Sequence, residues 1–319
     1  MGRPAVDVPA HAHIPVLLEA FVDALCIRPD GCYVDATFGR GGHAKTLLSR
    51  LSGKGRLLAL DRDAAAVAEG GRLAAEDTRF RILHRTFADL DAALDDAGWK
   101  KVDGIGFDLG LSSPQLDDAS RGFAFGREGP LDMRMDTSRG KTLAERLARV
   151  DERELVRILR EYGDERYAVR IARTILRARD DGRLMRTSDL ENVCFHAVPK
   201  QARYGKTHPA TRSFQALRIW VNDEMVQLEQ GIAAAMRRLK TGGRLAVISF
   251  HSGEDRRVRD LIEAEVHPCT CPPEFPVCVC GRKSTMRWVR KKPLRATKDE
   301  IARNPRSRTA RLRVAERLA

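Results

Sequence analysis

The chain is predicted to be an α/β protein built on a mostly parallel sheet with helices on both faces. Short apolar segments alternate with helical ones through the first 110 residues, the pattern of crossover-linked parallel strands. A glycine-rich bend follows the first strand at Gly39-Arg40-Gly41-Gly42, and an acid ends the second strand at Asp61.

The elements follow in order. An amphipathic helix spans Val16 to Leu25 and leads into a strand at Cys32 to Ala36. After the bend a helix runs from about Ala44 to Leu51, then come a strand at Arg56 to Asp61, a helix at Ala64 to Ala75, and strands at Phe80 to His84 and Gly104 to Leu109. From Ser112 to Ser213 the apolar period stays near that of a helix, with Asp151 and Ser188 as capped starts and Gly163 and Gly182 as stops. This stretch is expected to be a helical insert over 119–213, dividing a sheet domain formed by 1–118 and 214–319. A long helix from Phe214 to Leu239 is expected next, ended by Thr241-Gly242-Gly243, then a strand at Arg244 to Phe250 and a helix at Glu254 to Val266. Met286 to Val289 and Ala310 to Val314 are predicted to pair as a terminal antiparallel hairpin.

Composition narrows the class. The 319 residues are 43% hydrophobic and 32% charged, which reads as globular, and no apolar run approaches a membrane span. Asp7 and Glu19 interrupt the N-terminal apolar pieces, so no signal peptide is expected, and the cytoplasm is the expected compartment. The net charge of +13 is concentrated at the end: residues 281–319 hold fourteen Lys or Arg against three acids. Such a block, interleaved with Trp288, Pro293 and Pro305, is the footprint of a protein that neutralises phosphates.

Seven cysteines in a cytoplasmic chain argue against a disulfide framework. Four lie close together as Cys269-Thr270-Cys271 and Cys278-Val279-Cys280. They could hold one zinc ion as a structural staple, although the single residue within each pair is tighter than the usual two to four. No metal is assigned to the reaction.

Ligand chemistry concentrates at the carboxyl ends of the strands, where open α/β sheets bind their substrates. Asp61 lies about twenty residues past the glycine bend, where a carboxylate can accept from both hydroxyls of a ribose. The bend departs from the dinucleotide fingerprint because His43 stands in place of the third glycine. S-Adenosylmethionine, which carries no phosphate, needs only room beside its amino-acid tail. The fourth strand ends in Asp108, followed by Leu109-Gly110-Leu111-Ser112-Ser113-Pro114. This is where amino-methyltransferases keep an acid or amide before a proline turn.

The bend Thr37-Phe-Gly-Arg-Gly-Gly-His, Asp108-Leu-Gly-Leu-Ser-Ser-Pro-Gln, Arg121-Gly-Phe-Ala-Phe, His208-Pro-Ala-Thr-Arg, Ser249-Phe-His-Ser and Asn304-Pro-Arg-Ser-Arg together resemble the small-subunit ribosomal RNA methyltransferase H family, from about His13 to Leu318. The resemblance implies a class I Rossmann-like methyltransferase sheet with a helical insert. It also implies transfer from S-adenosylmethionine to N4 of a decoding-centre (P-site) cytosine in 16S rRNA. By position it implies cofactor contacts from Gly41, Gly42, His43, Asp61, Phe87, Asp108 and Gln115. The cysteine cluster departs from several members of the family.

Asp108 is the expected partner of the reacting amine and His251 the expected proton acceptor. Phe87 is placed to pack on adenine. Arg121, Phe123, Phe125, Arg134, His208 and Arg212 lie on loops where they could receive an extruded base. The expected partner is 16S rRNA or the small subunit, with no membrane; the sequence leaves the oligomeric state open, a homodimer included. Two alternatives remain: a cytosine C5 methyltransferase attacking through Cys269, and a non-catalytic RNA-binding ribosome assembly factor.

Overall fold

A computed structural model describes residues 15–205, 207–272, 277 and 279–319. The seven strands are β1 (Cys32–Asp35), β2 (Arg56–Asp61), β3 (Phe80–His84), β4 (Val102–Asp108), β5 (Leu239–Ser249), β6 (Met286–Trp288) and β7 (Arg311–Arg317). They form one sheet in the order β3-β2-β1-β4-β5-β7-β6. The first five are parallel, and β7 runs antiparallel to both β5 and β6. The sheet is therefore mostly parallel and closed by an antiparallel edge, the Rossmann-like methyltransferase arrangement expected.

Helices α1 (Leu18–Ala24), α2 (Gly42–Ser49), α3 (Ala64–Glu76), α4 (Leu90–Asp96) and α5 (Ser113–Asp117) accompany the first four strands. Next come α6 (Leu143–Leu147), α7 (Glu152–Gly163), α8 (Ala168–Asp180), α9 (Thr187–Ala197), α10 (Lys200–Arg203) and α11 (Ala210–Val221), then α12 (Glu224–Arg238), α13 (Ser252–Val266) and α14 (Lys298–Arg303). The helix α4 was not anticipated from sequence. Its Leu90, Ala93 and Leu94 are fully buried against the sheet.

Strand alternation divides the core. Leu58, Leu60, Ile105 and Phe107 face one cluster that takes in α4, α12 and α13, while Leu57, Ala59, Tyr33 and Ile248 face another under α1 and α2. On this second face β4 has no side chains at Gly104 and Gly106, and the rings of Tyr33 and Phe21 fill the space. A Cβ at Gly106 would lie 2.3 Å from Phe21 Cζ. Gly106→Ala is expected to destabilise the chain by about 1–3 kcal/mol through overpacking, measured as a lower urea midpoint at unchanged slope. An unshifted midpoint would mean that Phe21 moves aside freely.

A third cluster belongs to the helical stretch. It is built from Phe123, Leu131, Met133, Leu155, Ile158, Ile171, Ile175 and Leu190, and continues through Phe214, Leu217 and Val221 of α11. The expected single helix from Phe214 to Leu239 is two helices, broken at Asn222-Asp223. Asp223 adopts φ 50°, a left-handed conformation that Asn and Asp tolerate best after glycine. The Asn222 amide accepts from Met135 N at 2.7 Å and donates to Met133 O at 2.7 Å, riveting the break to the loop that carries these two methionines. Apolar spacing runs through this point in phase, so periodicity alone gave no sign of it. The expected helix stop at Thr241-Gly242-Gly243 is also corrected: α12 ends at Arg238, and these residues lie inside β5, with Gly242 at φ 75° beside a register shift against Val102 and Gly104.

The basic C-terminal block is not a free tail. Arg311 and Arg313 reach Asp255 at 3.0 and 2.6 Å, and Arg287 and Arg244 reach Glu316 at 2.6 and 2.7 Å. Part of the charge read as phosphate-seeking therefore holds the sheet edge to α13. No helix among the described residues is long and apolar enough to cross a membrane.

Candidate active site

A cavity of about 370 Å³ opens at the carboxyl ends of β1, β2, β4 and β5. Gly42, His43, Asp61, Phe87, Asp108, Gln115 and His251 all line it. Gly41 does not: it is the N-cap of α2 at φ 73°, and a Cβ there would meet Phe38 Cζ at 2.6 Å. Its part is to shape the bend that delivers Gly42 and His43.

Local hydrogen bonds fix the floor of the cavity. Asp61 Oδ2 accepts from Gly39 N and Oδ1 from Asp63 N, each at 2.8 Å. An ionised carboxylate offers about four acceptor positions, so each oxygen keeps one for a ligand. Thr37 Oγ1 accepts from Asp108 N at 2.6 Å, stitching the end of β1 to the end of β4. Gln115 closes the α5 turn by accepting from Ser112 N at 2.9 Å and donates to Asp63 Oδ2 at 2.7 Å. His43 is buried, with Nε2 3.1 Å from Val16 O and Nδ1 3.7 Å from Asp108 Oδ2. Facing Val16 O, Nε2 carries the proton in the neutral ring. Phe87 meets Phe107 edge-on at 5.8 Å and lies under Gly231, so it is both a core contact and cavity wall.

The electrostatics are lopsided. Burial pushes the Asp35 carboxyl up to about 7 and that of Asp61 up to about 6. Asp108 is raised well above the carboxylate range by burial, with Asp35 and Glu254 adding like charge. Asp35 Oδ2 and Asp108 Oδ1 are buried without a hydrogen-bond partner. The adjacent ends of β2, β1 and β4 thus carry Asp61, Asp35 and Asp108, with Asp61 and Asp108 lining the cavity and Asp35 buried behind it, an arrangement suited to a positively charged ligand. The sequence reading named Asp61 and Asp108 and gave Asp35 no role. Its signal was position: the last residue of β1, just before the bend.

Across the cavity His251 caps α13, with Nδ1 accepting from Glu254 N at 3.3 Å. Its Nε2 is 3.1 Å from Glu254 Oε1 but outside hydrogen-bond geometry. Burial opposes charge on Glu254, yet His251, Arg218 and the Phe250 N–H together hold it down at about 2. Arg306 also lines the mouth, where its guanidinium donates to Ser113 Oγ. The motif Asn304-Pro-Arg-Ser-Arg was the only sequence sign of that approach.

Two of the expected base-receiving residues are corrected. Arg121 is clamped inside, donating to Asp63 Oδ2 at 3.0 Å and to the Met135 carbonyl at 2.8 Å, and Phe123 is 6% exposed within the helical core. Arg134 is held by Asp132 at 2.8 Å, Arg212 donates to Asp164 O at 3.3 Å, and Phe125 stacks on His208 at 4.7 Å. Cys269 is not among the lining residues, nor is any other cysteine of the described chain. Among the described residues the covalent C5 route therefore has no thiol at this cavity.

Comparison with known proteins gives the chain's family. The family profile described as the MraW methylase family matches residues 10–318. A protein of Nitrosococcus oceani named ribosomal RNA small subunit methyltransferase H is 48% identical, over 96% of this chain and 97% of that one. Proteins of the same name from Heliobacterium modesticaldum and Chromohalobacter salexigens are 46% and 49% identical, over 96% and 97% of this chain and 98% and 92% of theirs. The chain belongs to the MraW methylase family, the methyltransferases that include ribosomal RNA small subunit methyltransferase H.

Proposed function

We propose that the chain transfers a methyl group from S-adenosylmethionine to the N4 amine of a decoding-centre cytosine in 16S rRNA, acting in the cytoplasm. The observation that carries the donor assignment is the set of acids on adjacent strand ends, Asp61 and Asp108 lining the cavity and Asp35 buried behind them. S-Adenosylmethionine bears a sulfonium and an ammonium, so it would answer the charge of Asp61 and Asp108, and the unpartnered Oδ1 of Asp108 fits it.

In this reading Asp61 holds the ribose through the acceptor positions left beside Gly39 N and Asp63 N. Gly42 and His43 border the amino-acid tail, Phe87 packs on adenine, and Gln115 keeps the Ser112-Ser113 turn in place. When bound, S-adenosylmethionine supplies a methyl already activated for displacement, so the protein needs to align the nitrogen and exclude water. Asp108 accepts from the amine and favours the tetrahedral nitrogen that can attack. His251 takes the released proton at Nδ1, giving up its bond from Glu254 N, and the ionised Glu254 stabilises the resulting imidazolium. The helical stretch 119–213 is the candidate RNA-recognition unit, and Arg306 stands at the mouth, where a phosphate would pass.

A strain lacking this gene should lose one N4-methylated cytidine from 16S rRNA by mass spectrometry and regain it with the wild-type copy. An unchanged modification profile would refute the assignment and favour an assembly factor.

Donor binding should also be linked to protons. Asp35 and Asp61 have native values raised to about 7 and about 6, so the ligand-free protein holds protons that a cationic ligand expels. Affinity is expected to rise between about pH 5 and 7 and then level, with net proton release near pH 6 seen by calorimetry in buffers of different ionisation enthalpy. The same raised values favour the ligand-free fold at low pH, and that contribution is lost as pH climbs through them. Proton uptake on binding would contradict the charge argument.

A further inference from the structure

We propose that Cys269, Cys271 and Cys280 form a structural zinc–thiolate site that pins the connection between α13 and β6. This connection leaves and returns at one place. Thr285 N donates to Glu265 O at 3.0 Å, and Ser284 Oγ donates to Val266 O at 2.6 Å. Between those closing bonds the chain makes an excursion in which no described residue is buried, and Val277 and Val279 are 70% and 71% exposed. The described residues of the excursion supply no buried apolar side chain to hold its shape.

Yet the three sulfurs converge from its two ends, all within 4.8 Å of one another. A tetrahedral ion with Zn–S near 2.3 Å spaces its sulfurs about 3.8 Å apart, so closure on a metal requires shifts of only about 1 Å. Residues two apart in an extended segment point to the same side, which lets Cys269 and Cys271 bind together despite their short spacing. Val279 N lies 3.4 Å from Cys271 Sγ as its donor. An N–H aimed at sulfur is what stabilises thiolate charge around a bound metal. Cys278, the fourth cysteine of the motif, lies outside the described residues.

The ion is structural because none of these cysteines lines the cavity. Bound there, it would fix the exposed segment leading to Arg282 and Lys283, whose charges would then be presented at a fixed place on the surface. Zinc is favoured over harder cations because the donors are thiolates.

The full chain, purified under reducing conditions from zinc-supplemented cells, is expected to carry about one zinc per molecule by mass spectrometric metal analysis. The double variant Cys271→Ser/Cys280→Ser should lose at least about fivefold of that metal while keeping its affinity for S-adenosylhomocysteine. Cys26→Ser should keep its zinc. Cobalt added to the metal-free wild-type chain should give the intense thiolate-to-cobalt charge-transfer band and tetrahedral visible bands, which tests the site even if the double variant folds poorly. A wild-type chain with less than about a tenth of a zinc per molecule, a cobalt complex lacking the charge-transfer band, or a disulfide among these cysteines in chains alkylated directly from cells would overturn the proposal.

Discussion

Asp108→Ala is expected to lower kcat for methyl transfer to small-subunit rRNA by about a hundredfold or more, with affinity for S-adenosylhomocysteine kept within about tenfold. The side chain is unusually free of structural duties. Its backbone N–H makes the bond to Thr37, which alanine preserves, while its own Oδ1 has no partner and its like-charged neighbours Asp35 and Glu254 resist its ionisation. Removing it should leave the fold intact or slightly more stable, so a lost rate would report on chemistry. A fall in kcat at saturating donor fits a group that holds the reacting amine. Unchanged kcat with weakened donor binding would instead make Asp108 a cofactor contact alone, and wild-type values for both would remove it from the site. Asp108→Asn separates charge from geometry, because the amide keeps a carbonyl acceptor and should retain part of the rate.

The parts of this site that sequence made legible are those where backbone and function demand the same residue. The bend at Gly39 to His43 needs glycine for its positive φ at Gly39 and Gly41, and Asp61 ends a strand whose alternation is plain, so both stood out. What stayed hidden depends on contacts distant in sequence. Asp35 reads as any strand-end acid until β4 brings Asp108 beside it. Arg121 looks like an exposed loop arginine, but Asp63 and the Met135 carbonyl draw it inward from 58 and 14 residues away. The break at Asn222 is set by Met133 and Met135, far upstream. The basic terminus shows the same limit: fourteen positive residues suggest RNA, yet Arg311 and Arg313 are paired with Asp255 in the sheet edge.

The second large effect is on stability, from Arg218→Met. Arg218 sits near the end of α11 and grips Glu224 in a two-pronged contact at 2.8 and 2.9 Å, with Glu254 at 3.7 Å. Both acids are buried, at 8% and 2% exposure, and their helices α12 and α13 pack in the core cluster of the sheet. The guanidinium thereby joins the helical core to the wall that carries His251. Methionine would fill the volume but take the guanidinium from Glu224 and leave Glu254 with His251 and the Phe250 N–H alone, a loss of about 3–5 kcal/mol at neutral pH. The pH dependence gives the effect a signature that lost packing would not have. Glu254 is held at about 2 in the native protein by His251 and, behind it, Arg218, so these pairings stabilise the fold above the ordinary glutamate range and that stabilisation fades as pH falls toward 2. In the variant Glu254 should protonate more readily, and the penalty should shrink on acidification. Chemical denaturation at pH 7 and pH 4 should therefore show a wide gap between variant and wild type that narrows at the lower pH. A gap that stays constant with pH would assign Arg218 to packing, and one below about 1 kcal/mol at pH 7 would mean that water or a neighbouring cation already shields the two acids.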